Sequence, residues 1–283
     1  MERLEGSFFS FDETELFYQV WRPDQDSRGF IVLTHGMGEH SECYHQLASD
    51  LVQDQWTVYA WDLRGHGRSE GKRGYVKDFK NMVQDLKCFI DQFKKDEGGA
   101  NNAFLLGHSL GGLVLLSYLV SEDSSEFEAA VCSAPALGIS VPIPKIKERG
   151  AEIMADWLPK LTLHNGIVYQ DLHKDVARLK EYANDPLRHD KVSSRLFLGM
   201  RDAMNNVQDK ADDIQIPILF QLAGDERIVS TPAAEDVFNK IGSKTKKIYI
   251  YPDSMHEVYN DLDRDEVIRN LKAFLQENEE KSS

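Results

Sequence analysis

The stretch Ala103-Phe-Leu-Leu-Gly-His-Ser-Leu-Gly-Gly112 joins a short apolar run to a serine flanked by glycines. The run ending at Leu106 is typical of a strand buried on both faces, and the apolar residues from 110 to 120 favour a helix. Ser109 therefore occupies a sharp turn between a strand and a helix, where the flanking glycines avoid clashes with their neighbours. This pattern predicts a serine hydroxyl that projects from the end of a sheet.

Other short apolar runs predict further strands that are covered on both faces. Stretches with helical spacing lie between several of them, including 79–93, with Asp78 as a candidate N-cap, and 267–275. The alternation favours a mainly parallel α/β sheet with right-handed crossovers. Near the start, alternating apolar and polar residues over 6–11 and 16–21 favour an antiparallel hairpin. The predicted buried strands are 29–34, 56–61, 103–106, 129–132, 217–222 and 247–251.

The segment 138–212 interrupts this alternation of strands and helices. It has no strand-like run, but apolar residues from Ile146 to Leu161 repeat with helical spacing, and a polar stretch compatible with helices follows. We expect residues 138–212 to form an inserted helical lid, and residues 1–137 and 213–283 to form the α/β core. In the alternative arrangement, the apolar face from Ile153 to Leu161 packs on the core instead of covering a site.

Composition and charge restrict the class of protein. With 283 residues, of which 41% are hydrophobic and 28% charged, the chain fits one large folded domain with a modest insertion. Its formal net charge of −14 opposes contact with nucleic acid and with anionic lipid. We therefore expect no nucleic-acid partner and a neutral or zwitterionic substrate, and the sequence leaves the oligomeric state open.

Three sequence features bear on localisation. The longest apolar stretch, around 113–120, is too short to cross a bilayer, and the acidic residues Glu2 and Glu5 do not fit a secretory signal. The spacing of Cys43, Cys88 and Cys132 suits neither a disulfide framework nor a zinc site. We expect a cytoplasmic protein with three structural thiols and no bound metal.

A serine hydroxyl is a poor nucleophile at neutral pH, so catalysis by Ser109 needs a base and a carboxylate that orients the base. Nine histidines compete for this role. His256 follows the last predicted strand and precedes the last helix, which gives the order serine, acid, histidine that hydrolases with such a turn use. Asp225 and Glu226 follow another buried strand, and only one of them can face His256. The histidines His164, His173 and His189 fall in the predicted lid, where we expect them to be solvated.

The stretch His35-Gly-Met-Gly38 directly follows the predicted strand 29–34 and is rich in glycine. Such a turn lets a backbone N–H, that of Met37, face a substrate carbonyl together with the N–H of Leu110. These two groups form the predicted oxyanion hole. Because both donors belong to the backbone, we expect side-chain substitutions there to have little effect unless they move the loop.

Several motifs occur together: His35-Gly-Met-Gly-Glu-His-Ser41, Asp62-Leu-Arg-Gly-His-Gly-Arg-Ser-Glu-Gly71, Gly107-His-Ser-Leu-Gly-Gly112, Asn184-Asp-Pro186 and the pair Glu226 and His256. In this combination, and over nearly the whole chain, the sequence resembles the monoacylglycerol lipase and lysophospholipase branch of the α/β-hydrolase fold. The resemblance implies a mostly parallel eight-stranded sheet flanked by helices, with a helical lid. It also implies a cofactor-free serine esterase for single-chain lipids, with Ser109, His256 and Glu226 as its triad.

The resemblance bears on further site residues. The acid of related hydrolases usually precedes a basic or polar residue and two aliphatic ones, which selects Glu226, with Asp225 as the alternative. The family commonly has an arginine where this chain has Cys43 and a second histidine where it has Tyr259, and those groups help hold the glycerol head. Glu39 is the head-group residue that still matches. The residues expected to bind substrate are Glu39, Tyr259 and, on the apolar face of the lid, Trp157 and Leu158.

The sequence leaves three further possibilities. The chain could cleave short-chain or non-lipid esters with the same triad, or it could be a catalytically idle fold that binds a small ligand. The apolar face of the lid could also contact a membrane surface transiently, and with a net charge of −14 such contact would be apolar rather than electrostatic. The expected localisation is then cytoplasmic, with peripheral contact to membranes.

Overall fold

The computed structural model describes residues 1–99, 102–140 and 145–279 of the chain. Within them, strands and helices alternate over most of the length. The strands are β1 (Glu2–Phe9), β2 (Glu15–Arg22), β3 (Gly29–Thr34), β4 (Trp56–Trp61), β5 (Ala103–His108), β6 (Ala129–Ser133), β7 (Thr162–His164), β8 (Lys191–Ser193), β9 (Ile218–Ala223) and β10 (Lys246–Tyr251). The α-helices are α1 (His45–Gln53), α2 (Lys80–Asp96), α3 (Leu110–Leu119), α4 (Lys145–Trp157), α5 (Val176–Asn184), α6 (Ser194–Lys210), α7 (Thr231–Lys240) and α8 (Arg264–Glu279).

Eight of the strands form one sheet in the order β1-β2-β4-β3-β5-β6-β9-β10. The strand β2 pairs antiparallel with β1 and with β4, and all other neighbours in this sheet run parallel. The predicted, mostly parallel eight-stranded sheet is confirmed. The predicted buried strands are all present, with ends within two residues of the expected ones.

Alternate residues of the central strands pack on opposite faces of the sheet. In β5, Leu105 belongs to a hydrophobic cluster with α2, α3, α6 and α7, whereas Leu106 belongs to a cluster with α1 and α8. The strands β4, β5, β6 and β9 are buried throughout, as their continuous apolar runs predict. Burying one large apolar side chain contributes roughly 1.5–3 kcal/mol, so these two clusters hold the layers together.

The first hairpin and the start of α2 differ from the expected bounds. The strands β1 and β2 pair from Glu2 with Arg22 to Phe9 with Glu15, a longer hairpin than predicted. Backbone hydrogen bonds between neighbouring strands extend pairing beyond the residues that alternate. The helix α2 begins at Lys80, whose N–H donates to an Asp78 carboxylate oxygen at 2.9 Å, so the cap acts from two residues before the helix.

The segment between β6 and β9 contains two strands as well as helices. The strands β7 and β8 pair antiparallel over three residues each, whereas the sequence showed no strand run there. Such short strands leave no alternation to detect. The helix α6 packs on the core through Leu196 and Val207, whereas α4 exposes Ile153 and Trp157. Of the predicted lid, residues 141–144 and the side chain of Ile146 lie outside the described part of the chain.

The carboxyl ends of β3, β5, β9 and β10 meet at one edge of the sheet. Parallel pairing aligns Thr34 with Gly107, and Ala223 with Tyr251. The loops that follow these strands therefore converge, at the edge where open α/β sheets bind ligands. Among the helices that the structure describes, none has the combined length and apolar character needed to traverse a bilayer.

Candidate active site

The serine turn is held in a strained conformation by close packing. Ser109 lies between β5 and α3 with φ 51° and ψ −116°. A positive φ is costly for a residue with a Cβ and persists only where the surroundings enforce it. A Cβ at Gly107 would lie 2.6 Å from the carbonyl oxygen of Gly111, and one at Gly111 would collide with the carbonyl of Thr34. The close approach of β3, β5 and α3 therefore requires glycine on both sides of the serine.

Two hydrogen bonds connect Ser109, His256 and Glu226. His256 Nε2 lies 2.9 Å from Ser109 Oγ, and His256 Nδ1 lies 2.8 Å from Glu226 Oε2. Because a carboxylate only accepts hydrogen bonds, Nδ1 donates to Glu226 and Nε2 is free to accept the serine proton. The structure thus brings together a hydroxyl, an imidazole and a carboxylate at distances suited to general base catalysis.

Glu226 and not Asp225 faces His256. Glu226 Oε1 accepts three backbone N–H groups, from the residues at 227, 228 and 229, at 3.0, 2.9 and 3.3 Å, which leaves Oε2 for the imidazole. The Asp225 carboxylate binds the guanidinium of Arg227 at 3.1 Å and is one third exposed. The two adjacent carboxylates therefore have separate partners.

The charges of His256 and Glu226 shift each other's titration. Burial alone would raise the pKa of Glu226, but the charge of His256 and its hydrogen bond outweigh burial and lower that pKa. Burial alone would lower the pKa of His256, but Glu226 outweighs burial and raises that pKa above 6.5. The pair therefore keeps the carboxylate ionised and stabilises a protonated imidazole.

A second histidine, His108, packs against His256 without a hydrogen bond between the two rings. The ring centroids are 4.9 Å apart, and His108 Nδ1 lies 3.1 Å from Ser133 Oγ. Burial lowers the pKa of His108 to about 3. His108 is therefore neutral near pH 7 and adds no positive charge beside His256.

The predicted oxyanion donors flank the same serine. Met37 lies in the loop after β3 and lines a cavity beside the serine. Leu110 is the first residue of α3, and N–H groups in the first turn of a helix have no acceptor within that helix. Glu39 Oε1 accepts the N–H of Gly36 and, at 2.6 Å, the hydroxyl of Tyr44. Glu39 therefore fixes the loop that carries Met37.

The cavity beside the serine is small and covered. Its volume is about 20 Å³, enough for about one water molecule. Residues 165–190, which connect β7 to β8 and are named the covering segment below, contribute Ile167, Tyr169 and Asp190 to its wall. A cavity of this volume has no room for an acyl chain.

Two charged residues that sequence reasoning missed, Arg188 and Glu257, also line this cavity. Arg188 belongs to the covering segment, and its Nη2 lies 3.6 Å from Glu39 Oε2 and 3.6 Å from Glu257 Oε1. All three side chains are nearly buried. The cluster joins three segments that are distant in sequence, so no local motif predicts it. Their positions in the sequence could have indicated these two residues, because Arg188 follows the Asn184-Asp-Pro186 motif and Glu257 follows His256.

Three of the residues expected to bind substrate lie elsewhere. Trp157 and Leu158 are 83% and 55% exposed at the end of α4. Tyr259 is buried in the cluster with α1 and α8, and its hydroxyl donates to Gln221 Oε1 at 2.6 Å. Within the described ranges, these three residues do not line the cavity beside the serine, whereas Glu39 does.

The histidines of the inserted segment are not all solvated, so that expectation is wrong for two of them. His164 is exposed, but His173 is fully buried. His189 is half-buried against His66, with ring centroids 4.5 Å apart, and its backbone N–H donates to the carbonyl of Gly38 at 3.0 Å. The polar sequence gives no sign of this, because the covering segment packs on the core through backbone contacts and single side chains.

One cluster in the part of the chain that the structure describes has ligand atoms close enough to hold a metal ion, namely His40, Cys43 and Asp185, within 4.8 Å of one another. His40 Nε2 already lies 2.8 Å from Asp185 Oδ2, and Arg188 Nη2 donates to Cys43 Sγ at 3.4 Å. Burial raises the pKa of the Cys43 thiol to about 12. A guanidinium beside a protonated thiol opposes binding of a cation.

Comparison with known proteins shows similarity over nearly the whole chain. Residues 25–263 match the family described as "Hydrolase_4: Serine aminopeptidase, S33". The chain is 26% identical over 274 residues to the monoacylglycerol lipase of Mycolicibacterium smegmatis, covering 96% of this chain and 97% of that protein. It is 24% identical over 259 residues to phospholipase YtpA of Bacillus subtilis, covering 90% and 97%. The crystal structure of the Paleococcus ferrophilus monoacylglycerol lipase is similar with a TM-score of 0.81 at 29% identity, covering 98% and 100%.

These similarities and the sheet topology agree with each other. They confirm the predicted α/β-hydrolase fold and the resemblance to its monoacylglycerol lipase branch. The family match covers most of the chain, including β3 and the turn at Ser109. The chain belongs to the Hydrolase_4 family, described as Serine aminopeptidase, S33.

Proposed function

We propose that this chain is a carboxylic ester hydrolase that releases the fatty acid of single-chain lipids through an acyl-enzyme on Ser109. The observation that carries the proposal is the pair of hydrogen bonds that join Ser109 to His256 at 2.9 Å and His256 to Glu226 at 2.8 Å. A hydroxyl, an imidazole and a carboxylate in this arrangement form the catalytic unit of serine hydrolases on this fold.

In the first half of the reaction, Ser109 Oγ attacks the ester carbonyl while His256 takes the serine proton. Glu226 holds the imidazole in the tautomer whose Nε2 accepts that proton, and it stabilises the imidazolium. The N–H groups of Met37 and Leu110 bind the oxyanion of the tetrahedral intermediate. His256 then gives its proton to the leaving alcohol, and the acyl group stays bonded to Ser109.

In the second half, a water molecule enters where the alcohol has left. His256 removes a proton from this water as it attacks the acyl carbonyl, and a second tetrahedral intermediate forms in the same oxyanion hole. Its collapse releases the fatty acid and returns the proton to Ser109 Oγ. The scheme needs only groups of the protein and water.

Three observations support a lipid ester as the substrate. Relatives named monoacylglycerol lipase and phospholipase align with nearly the whole chain. The inserted segment exposes Ile153, Trp157 and Leu158, an apolar surface that lipid can contact. A net charge of −14 disfavours strongly anionic substrates. Monoacylglycerol and lysophospholipid are the two candidate classes.

A fluorophosphonate probe tests the nucleophile. We expect covalent labelling of the wild-type protein, and in Ser109→Ala both loss of labelling and a fall in kcat of about 10⁴-fold or more. The matched control is Ser117→Ala, which removes a buried serine hydroxyl from α3 and should leave labelling intact. Absence of labelling in the wild-type protein would instead favour a catalytically idle ligand-binding fold.

A chain-length series tests the substrate class. We expect kcat/KM for p-nitrophenyl esters to rise from acetate to about eight carbons, because each buried methylene contributes about 0.8 kcal/mol. Hydrolysis of monoacylglycerol or lysophospholipid with long acyl chains should accompany this rise. A maximum at two to four carbons, with no cleavage of monoacyl lipids, would support a short-chain carboxylesterase.

The inserted segment acts as the lid in this proposal, and it also contacts the membrane from which substrate is taken. The exposed apolar residues of α4 support both roles. In flotation with neutral liposomes, we expect Trp157→Glu to lower the bound fraction. Leu262→Glu is the matched control, because Leu262 is 70% exposed and lies just before α8. Equal loss in both variants, or no binding by the wild-type protein, would contradict docking through α4.

A further inference from the structure

The covering segment is attached to the core at two points, and each point holds a buried imidazole. At the first point, the carbonyl of Leu172 accepts the N–H of Glu257 at 2.8 Å, and the N–H of Lys174 donates to Asp261 Oδ1 at 3.0 Å. His173 lies between these two bonds and is fully buried. The covering segment is therefore fixed to the loop after β10, which also carries the catalytic histidine.

At the second point, the covering segment contacts the loops after β3 and β4. The backbone N–H of His189 donates to the carbonyl of Gly38 at 3.0 Å. The imidazole of His189 packs on that of His66, with ring centroids 4.5 Å apart. His66 is 1% exposed, and among the described residues its Nε2 has no hydrogen-bond partner. Both attachment points thus lie at the edge of the sheet where the reactive serine projects.

Both histidines of the covering segment use Nδ1 in a way that excludes a second proton. His173 Nδ1 accepts the N–H of Asp175 at 3.1 Å, and His189 Nδ1 accepts the N–H of Lys191 at 3.2 Å. A nitrogen that accepts a hydrogen bond carries no proton, whereas a protonated imidazole donates from both nitrogens. Protonation would therefore turn two N–H groups against each other at each point. The closed arrangement fits only neutral rings.

Burial outweighs the charges around His173. The groups that face this ring are Tyr182, whose ring centroid lies 5.1 Å away, the carboxylates of Asp175, Glu257 and Asp261, and the guanidinium of Arg178. The carboxylates alone would raise the pKa of His173. Burial has the larger effect, so the pKa lies below 6.5. His173 is therefore neutral near pH 7 in the closed form.

The surroundings of His189 act in the same direction. The groups that face this ring are His66, Arg73, Asp190, Lys191 and the carbonyl of Gly65, and His35 packs behind His66. Burial, and next the charge of Arg73, lower the pKa of His189 to about 4. Burial also lowers the pKa of His66 well below 6.5. The rings at the second point are therefore neutral together.

We propose that protonation of His173 and His189 releases the covering segment from the core loops and opens the cavity beside Ser109. In the released segment both imidazoles are solvated, and water accepts hydrogen bonds from both of their nitrogens. The open form therefore binds protons more readily than the closed form, and low pH favours it. The proposal concerns the free protein, so it does not depend on the proposed ester hydrolysis.

The pH range follows from the difference between a buried and a solvated imidazole. A solvated histidine titrates at about pH 6.5, whereas the pKa of His189 in the closed form is about 4. The closed form is fully favoured above about pH 6.5, and its stability relative to the open form falls as the pH drops towards about 4. Between about pH 7.5 and about pH 5.5, one released histidine raises the ratio of open to closed protein about tenfold.

Hydrogen exchange of the substrate-free protein, followed by mass spectrometry, tests the proposal. Each exchange rate is divided by that of an unstructured peptide at the same pH, which gives a protection factor. We expect the protection of peptides from 165–190 to fall about tenfold or more between about pH 7.5 and about pH 5.5. Peptides from β5 and α3 should keep their protection over the same range.

Asparagine removes the titration and keeps the local backbone bond. Its side-chain oxygen can accept the N–H two residues later, as Asn165 Oδ1 accepts that of Ile167 at 2.9 Å, and it binds no proton in this pH range. In the double variant H173N/H189N, the fall in protection of the covering segment should be less than about threefold.

His164→Asn is the matched control. His164 Nδ1 accepts the N–H of Gly166 at 2.9 Å, the same kind of bond, but its ring is exposed. This variant should show the full wild-type fall. A second double variant, H173F/H189F, keeps aromatic packing at both points if the asparagine variant fails to fold, and it should also lose most of the response.

Equal protection of the covering segment at both pH values in the wild-type protein would overturn the proposal. A full wild-type fall in the double variants would do so too, because other groups would then control the opening. Parallel loss of protection in β5 and α3 would mean that the whole fold opens in acid, which also contradicts the proposal. None of these results depends on whether the protein cleaves esters.

Discussion

The backbone that follows Glu226 decides which carboxylate serves His256. Glu226 Oε1 is held by the N–H groups at 227, 228 and 229, so only Oε2 can reach the imidazole. Asp225 binds Arg227 and lies 3.5 Å from the ammonium of Lys174. Neighbouring carboxylates of nearly equal chemistry thus have different partners, because one of them is anchored by the turn.

Exchange of each acid for its amide tests this difference. We expect Glu226→Gln to lower kcat by about 10³- to 10⁴-fold, because an amide does not stabilise the imidazolium and can fix the wrong tautomer. Asp225→Asn is the matched control and should keep near wild-type turnover. Steady-state hydrolysis of p-nitrophenyl octanoate measures both. Full activity in Glu226→Gln with loss in Asp225→Asn would assign the acid to Asp225.

The titration of His256 sets the acid side of the pH profile. The imidazole must be neutral to take the serine proton, so kcat/KM falls as the pH drops through its pKa. Glu226 raises that pKa, and we expect the midpoint of the fall above pH 6.5. Rates on a neutral ester between about pH 5 and about pH 9 locate it. Glu226→Gln should move the midpoint downwards, and a flat profile in the wild-type protein would contradict the assignment of His256 as base.

The sequence predicted Ser109, His256 and Glu226 because each lies in a short motif directly after a strand. Parallel strands bring their ends to one edge, so local motifs are enough to place these three side chains together. Arg188 and Glu257 could not be found this way, since their meeting with Glu39 depends on how the covering segment packs. Lid amphipathicity points to Trp157 and family position points to Tyr259, but neither kind of information specifies whether a side chain faces the cavity.

At the scale of elements, the β5 turn and α3 are fitted to β3 with little free space. The long buried strands could be predicted because their apolar runs are continuous, whereas β7 and β8 are too short to leave a pattern. The packing at the β5 turn cannot be predicted from such apolar runs. Glycine is required at position 111 by backbone atoms of β3 and at position 107 by backbone atoms of α3, which the sequence suggests only through the motif around Ser109.

Adding a methyl group at this packing contact tests it. We expect Gly111→Ala to destabilise the fold by about 1–3 kcal/mol, because the new Cβ would collide with the carbonyl oxygens of Thr34 and His35. The matched control is Gly150→Ala in α4, where a Cβ meets no atom within 4 Å of the described structure. That substitution should stabilise the helix by about 0.5–1 kcal/mol. Urea unfolding measures both, and equal effects would refute the packing argument.

At the scale of the whole molecule, net charge and exposed apolar surface have opposite effects on binding to an anionic lipid surface. The chain carries a formal charge of −14, yet α4 exposes apolar side chains such as Trp157. Repulsion between like charges is screened by salt, whereas apolar contact is not. The proposed membrane contact should therefore be weaker on anionic lipid than on neutral lipid. A basic peripheral protein shows the opposite preference.

Liposomes of two compositions test this balance. We expect stronger flotation with pure phosphatidylcholine than with vesicles that contain about one third anionic lipid, because the protein and the anionic surface repel each other. Added salt should reduce the difference and leave binding to neutral vesicles nearly unchanged. Tighter binding to the anionic vesicles would mean that a local basic patch, and not α4, makes the contact.

The left-handed φ of Ser109 has a thermal consequence. Alanine at this position would keep the strained backbone, whereas glycine would relax it, and relief of such strain contributes about 1–3 kcal/mol. Although glycine also loosens the unfolded chain, we expect Ser109→Gly to melt a few degrees above Ser109→Ala in calorimetry. An equal or lower melting temperature would mean that the turn is unstrained. A selection for thermal stability alone would therefore favour replacement of Ser109. Each round of such a selection must also measure turnover.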